Sequence, residues 1–415
     1  MFRKIVNNES LVVLLYTLIS MIGALAIMKI LAITLTKEDF GVYALILSIV
    51  SFIALFPFKC LDQGASRYVS INRSENSFSE FYSNYLFLLL VAIIFYISIF
   101  SIIDSLNIEL SVFSEYIWTI FFFLTSEVVK TSFRTIVGAE RKRIEILISN
   151  SLEFGLKVLI LIIFIQDITL NIVLYLFIII NFISTIKLYL ENKNELKLSV
   201  VNKVTFLFHN KRLWLFSYPF LIMAIFTWAR DMSNRWIIDI YLDKESVAIY
   251  SILTSITIII PMGIQTILGS YIVPIIYQKE NTKQGFARRV TNILLLTLPI
   301  LFLIIGLFIY IFAHEIITLF SSEEYIYHSW AFTSLFLAYS IYTLAMFSVY
   351  ELLANNESKK LITPSIISGV LSVVSGLILI NMYGLNGAIY SYLIGYISYA
   401  ILIFIVVWKF RRKNV

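Results

Sequence analysis

The chain has 415 residues, of which 60% are hydrophobic and only 14% charged, and its mean hydropathy is +0.89. A soluble domain carries about a quarter charged residues, so this much apolar surface exceeds what a soluble core can hide and lipid has to cover it. The single cysteine, Cys60, excludes an intramolecular disulfide and any multi-cysteine metal site; three scattered histidines (His209, His314, His328) argue against a zinc centre, and the net charge of +6 belongs to a membrane face rather than to nucleic acid.

The N-terminus has a basic start followed by an apolar run of more than 20 residues with no small-residue cleavage site. It reads as a retained first helix, not as a signal peptide, whose apolar region is about 7 to 15 residues. About 20 apolar residues are needed to cross the hydrocarbon. That window predicts twelve spans, near 11–35, 41–61, 82–103, 113–137, 144–165, 169–190, 214–240, 246–276, 290–313, 329–353, 362–382 and 385–408. No stretch outside them is long enough for a soluble domain. The longest gap lies between the sixth and seventh spans, which predicts two six-helix lobes, 1–205 and 206–415.

Ionisable residues inside spans are costly, at least about 2.5 to 3.5 kcal/mol at mid-membrane, and generally face a cavity or a partner. In the first span Lys29 lies in the outer half with no local acid, and either snorkels outward or lines a cavity. Lys59 stands three residues before Asp62, with Arg67 beyond at the inner boundary, which suits anchoring at the inner surface. In the fourth span Glu127, Lys130 and Arg134 fall on one helical face. Two readings stand side by side: Glu127 neutralises Lys130 while Arg134 snorkels inward, or the three form a polar face on a water-filled cavity. Glu153 and Lys157 in the fifth span make an i, i+4 pair, mainly structural, with a cation or proton relay as the lesser reading.

The seventh span carries Arg230, Asp231, Arg235 and Asp239. Four-residue spacing lets Asp231 and Asp239 satisfy Arg235 within its own helix. Arg230 has no carboxylate three or four residues away, so it is expected to find a partner on another helix, in water or in an anionic ligand. Together these residues predict a cavity biased toward positive charge. Arg230, Lys29, Arg134, Lys130, Arg235, Lys59 and Arg67 are the candidate substrate-binding residues, and Glu127, Asp231 and Glu153 the candidate ion-coupling ones. No catalytic group, metal ligand or cofactor is expected.

Basic residues set the orientation. Twenty-three of the 32 Lys and Arg, from Arg3, Lys4, Arg67 and Arg73 through Lys142, Lys203, Arg212, Lys283 and Lys360 to Lys413, fall on the side of the N-terminus, against Lys37 and Lys244 in the opposite loops. Both termini are therefore expected to be cytoplasmic. The two outer loops also share a phrase. LTKEDFGVY at 35–43 returns as LDKESVAIY at 242–250, and GAERKR at 138–143 has an echo in NNESKK at 355–360. Six spans per half is an even number, so the halves enter the membrane in the same direction, as a parallel repeat about an axis along the membrane normal.

SNRWIIDIYLDKESVAIYSI (233–252), LTKEDFGVYALILSIVSF (35–52) and MYGLNGAIYSYLIGYI (382–397) resemble signatures of Wzx-type polysaccharide (O-antigen) repeat-unit flippases. The resemblance covers essentially the whole chain, and its motifs mark the superfamily better than the substrate. Asn234, where an acid is common, and Ala248, where the family has Gly, depart from it. The resemblance implies an all-α membrane fold of the multidrug/oligosaccharidyl-lipid/polysaccharide (MOP) exporter type: twelve helices in two six-helix bundles related by a pseudo-twofold axis and opening alternately to either side. The implied cargo is an undecaprenyl-diphosphate-linked oligosaccharide carried from the cytoplasmic to the periplasmic leaflet of the bacterial inner membrane. A proton or sodium coupling ion, membrane lipid and a polysaccharide polymerase are the other expected partners. Flippases for peptidoglycan or teichoic acid precursors and a drug/cation antiporter of the same superfamily are the alternatives. A membrane enzyme is disfavoured by the short outer loops, and no Walker A pattern is present.

Overall fold

In the computed structural model, residues 9–106, 112–200, 203–280, 285–321, 329–355 and 357–413 are described. Arg3, Lys4, Lys283 and His328 lie outside them, as do the side chains of Lys203, Arg212 and Lys413. Among the described residues the chain is mostly helical, with no strand. The helices are α1 (Glu9–Thr34), α2 (Lys37–Ile53), α3 (Cys60–Ser74), α4 (Phe78–Ser105), α5 (Val112–Glu115), α6 (Ile117–Ala139), α7 (Arg143–Ile163) and α8 (Leu170–Asn192). They continue as α9 (Lys203–Tyr241), α10 (Lys244–Glu280), α11 (Phe286–Ile311), α12 (Ala313–Phe320), α13 (Ser329–Ala354), α14 (Ile362–Tyr383) and α15 (Leu385–Lys413).

Ten of these helices are long and apolar enough to cross a membrane. A further pair passes only when taken together: α2 and the stretch Leu55–Ser74, which opens with the π-helical turn Leu55–Lys59, meet at 56° as a broken span or a re-entrant loop. Phe56 leaves helical geometry there, and Pro57 has no N–H to give to the ladder. The second expected span, 41–61, is thus only part of a longer broken element. The fourth expected span is α6, 23 residues long, whose apolar character is diluted by Glu127, Lys130 and Arg134. Helix α9 begins ahead of the expected 214–240 and runs through Pro219, so the later part of the mid-chain gap, from Lys203, is helical, while 193–200 are turn and irregular chain.

The chain forms two compact units: Met1–Gly23 with Leu45–Ala224, and Ala24–Ala44 with Ile225–Val415. Relative to the lobes expected from sequence, residues 24–44 join the second unit and the first extends to 224. The first unit is cored by Leu61, Phe81, Tyr82, Tyr85, Ile136 and Leu213. In the second, α13 and α14 pack on α15 through small buried residues, Ser368, Ser372 and Ser391 among them, which let helix backbones approach where no hydrophobic effect drives them together.

The repeated phrase has a structural meaning inside the second unit. Thr36 caps α2 by accepting from the Asp39 N–H (3.1 Å), and Asp243 caps α10 by accepting from the Ser246 N–H (2.7 Å). Each phrase is therefore a helix start, where a side-chain oxygen satisfies an orphan donor of the first turn. The two starts also touch. A Cβ on Gly41 would run into the Lys244 carbonyl, and the Lys244 ammonium stands 3.9 Å from Glu38.

Candidate functional site

The first unit holds a cavity of about 550 Å³, lined by residues of the α2–α3 bend and α6. Its polar wall comprises Lys59, Asp62, Gln63 and Ser66 from the bend together with Glu127 and Thr131 from α6, set among Leu47, Phe58 and Phe123. This size and mixture are those of a small-molecule site, apolar surface with a few convergent polar groups. Lys59 is exposed within it. Asp62 accepts hydrogen bonds from Tyr85 and from Ser132 (3.0 Å).

Behind the cavity, Glu127 opens onto a buried charge network spanning α6, α7 and α8. The Lys130 ammonium donates to Glu127 (2.8 Å), Glu153 (2.9 Å) and Asn181 (3.0 Å). Lys157 donates to Glu153 (2.6 Å) and Asn181 (3.0 Å), and Arg134 to the other Glu153 oxygen (2.6 Å). Three cations meet two carboxylates, so the network holds one excess positive charge. Lone charges at such depth would cost several kcal/mol each, and mutual pairing plus the Asn181 amide is what makes them tolerable.

The structure thus brings Lys130, Arg134, Glu127 and Glu153 together and sets Lys59 across the cavity from α6. Arg134 does not snorkel to the inner surface, because Glu153 offers it an ion pair inside. Neither sequence reading of the α6 face is complete: Glu127 both neutralises Lys130 and lines a cavity. Arg67 lies apart, exposed, with its guanidinium 4.6 Å from the Phe216 ring.

The remaining candidates belong to the second unit. Lys29 donates to the carbonyls of Thr318 and Ser321 (both 2.6 Å) at the end of α12. A cation there satisfies orphan carbonyls and meets the negative end of the helix dipole. Arg230 is 1% exposed and pairs with its own neighbour Asp231 (2.8 Å), a carboxylate that helix spacing passes over, while the partners expected on other helices are aromatic rings. Its guanidinium also packs against Tyr342, Tyr396 and Tyr399 at 4.6, 4.7 and 4.9 Å. Arg235 is not held by Asp231 and Asp239. Asp231 is taken by Arg230 and the Tyr396 hydroxyl (2.8 Å), and Arg235 donates to the Ala44 carbonyl at 3.3 Å. Asn234, the departure from the family pattern, is fully buried between Tyr250 (3.2 Å) and Ser391 (3.1 Å).

Sequence reading missed Gln63, Thr131 and Asn181, and it expected aromatic rings around a cavity without singling out which tyrosines. Asn181 is one amide in an apolar span, visible only as a polar interruption. Tyr392, Tyr396 and Tyr399 do recur at i, i+4 and i+7 on α15, a signal lost among the 25 tyrosines of the chain. No group of three or more His, Cys, Asp or Glu that would hold a metal ion occurs among the described residues.

Comparison with known proteins follows the same line. Over 98% of both chains, the fold matches an inward-facing multidrug resistance MATE family transporter of the MOP superfamily, with a TM-score of 0.73 at 16% identity. A MATE transporter in complex with MaL6 matches with a TM-score of 0.69 at 18% identity, over 98% of this chain and 96% of that one. A MOP superfamily transporter from Pyrococcus furiosus, described as having a binding pocket of reverse polarity that suggests a different function, gives 0.69 at 15% identity with the same coverage. No curated protein matches the sequence. The family model for polysaccharide biosynthesis proteins matches residues 6–280, about two thirds of the chain. With the all-α membrane fold of the MOP exporters around it, this chain belongs to the polysaccharide biosynthesis protein family.

Proposed function

We propose that the protein is a flippase that carries an undecaprenyl-diphosphate-linked oligosaccharide, a repeat unit of a surface polysaccharide, from the cytoplasmic to the periplasmic leaflet by alternating access. The carrying observation is the polar cavity of the first unit, found in a chain whose family is defined by polysaccharide biosynthesis. A diphosphate with a string of hydroxyls does not cross hydrocarbon unaided, because each polar group loses its water without replacement. Gln63, Ser66, Thr131 and the carboxylates of Asp62 and Glu127 offer replacement partners, and Lys59 offers a cation to the diphosphate. No bond breaks in such a transfer, so no nucleophile or acid–base pair is required. Energy would enter through a proton or sodium ion at Glu127, which joins the cavity to Lys130 and Glu153. The setting is the bacterial inner membrane with both termini cytoplasmic, and a polymerase is the natural consumer of the product.

One observation favours a second reading, a drug or cation antiporter: two carboxylates, Asp62 and Glu127, face the cavity against one lysine. The excess positive charge behind Glu127 weighs the other way.

The test is reconstitution in liposomes. A fluorescent undecaprenyl-diphosphate oligosaccharide should cross between leaflets faster with the protein, and Lys59→Ala should slow it about tenfold or more. Transport of a lipophilic cation with no movement of the lipid-linked glycan would overturn this reading in favour of the antiporter.

A further inference from the structure

The cluster around Arg230 has a face that ion pairing leaves unused. The guanidinium is sealed in by Asp231 and three tyrosine rings, so it has no surface to give an anion. Asp231 is different: its side chain is 28% exposed. Its Oδ1 accepts from both Arg230 and Tyr396, while its Oδ2 takes no hydrogen bond among the described residues. Beside it stand Tyr339 and Tyr342, both half-buried, with ring centroids 5.2 Å apart and 5.1 and 5.2 Å from Tyr396.

What this face accepts follows from its charge. A phosphate finds no cation to pair with, since Arg230 and Arg235 are both buried and the more exposed ionised group is the Asp231 carboxylate. Hydrocarbon would strip that carboxylate of water with no return. A cation gains little, because Arg230 already neutralises Asp231. A neutral polyol gains most: vicinal hydroxyls donate to the open carboxylate oxygen in charge-assisted bonds, and the apolar face of a sugar ring covers the exposed tyrosine surface, the use that amphipathic rings serve at wet interfaces.

We propose that Asp231, Tyr339 and Tyr342 form a glycan subsite in the second unit, one that reads sugar hydroxyls and not the diphosphate. This rests on the cargo being a glycan, as proposed above.

Binding to the purified protein in nanodiscs, with farnesyl diphosphate, farnesyl-diphosphate-linked N-acetylglucosamine and tetraethylammonium as probes, tests it. The expected result is that the wild type prefers the glycosylated probe about tenfold or more, and that Asp231→Asn and Tyr339→Ala each abolish that preference while binding farnesyl diphosphate unchanged. Tyr339→Ala leaves the Arg230–Asp231 pair intact, so it reports on the subsite even where Asp231→Asn fails to fold. A wild type with no preference, or a Tyr339→Ala variant that keeps it, overturns the subsite and leaves the flippase standing. Binding of neither lipid probe overturns the flippase as well. Tetraethylammonium bound more tightly than the glycan, and lost in Asp231→Asn, replaces both with a cation site.

Discussion

Glu153 is the residue on which the first unit's charge network turns, since it alone receives Lys130, Lys157 and Arg134. Removing one partner of a buried ionic group leaves the others uncompensated, at a cost of about 3–5 kcal/mol. Glu153→Gln is therefore expected to lower the unfolding temperature in detergent sharply. Thr135→Ala, a small change at the cavity wall, should leave it within a degree or two. Arg230→Ala belongs to the same class: it strips Asp231 of its counter-charge and opens a void among three tyrosines, so both protein abundance and export should fall. Sequence alone suggests a loss of export at full abundance for that variant. The difference lies in the adjacent partner. Helix spacing rules search at i+3 and i+4, because neighbours at i+1 diverge, yet the long Arg230 side chain reaches Asp231 through its Nε. The α6 face and the Glu153–Lys157 pair, by contrast, follow directly from spacing. That the two groups meet across Asn181 is a matter of helix packing, which no local pattern encodes.

Among elements, the two shared phrases illustrate what a repeat in sequence does and does not disclose. The caps at Thr36 and Asp243 are readable, since a small oxygen-bearing residue ahead of an apolar helix marks an N-terminus. The contact between Gly41 and Lys244 is not, because the two lie about 200 residues apart. It explains why the corresponding positions differ, Gly41 in one phrase and Ala248 in the other. Gly41→Val should force the α2 and α10 starts apart and cost about 1–3 kcal/mol, read as a drop in melting temperature. The reverse change, Ala248→Gly, should cost about 1 kcal/mol or less. A Gly41→Val variant as stable as the parent would show that the two starts do not pack this closely.

For the whole molecule, composition and apolar windows carried most of the fold: a helical membrane protein whose described helices fall near the expected spans, save for the broken second element, the fourth, whose three charges keep it from qualifying as a span, and the lengthened seventh. Orientation is a prediction that accessibility can check. In a Cys60→Ser background, cysteines placed at Lys37 and Lys244 should react with a membrane-impermeant maleimide on intact cells, while cysteines at Lys142 and Lys409 should react only after permeabilisation. Labelling of Lys142→Cys in intact cells would invert the topology and with it the direction of transport. The division into compact units was less legible, because apolar windows locate helices along the chain without saying which neighbours they choose.

That choice has a consequence for how the protein can be taken apart. The stretch 24–44 supplies Lys29 to the end of α12, Ala44 to Arg235, and Gly41 to the start of α10. A fragment encoded from residue 206 onward would be born with those three sockets empty, and a split gene cut at mid-chain would yield two polypeptides neither of which is complete. Co-expression of the pieces should restore a working protein only where the N-terminal piece can thread its hairpin tip back into the other.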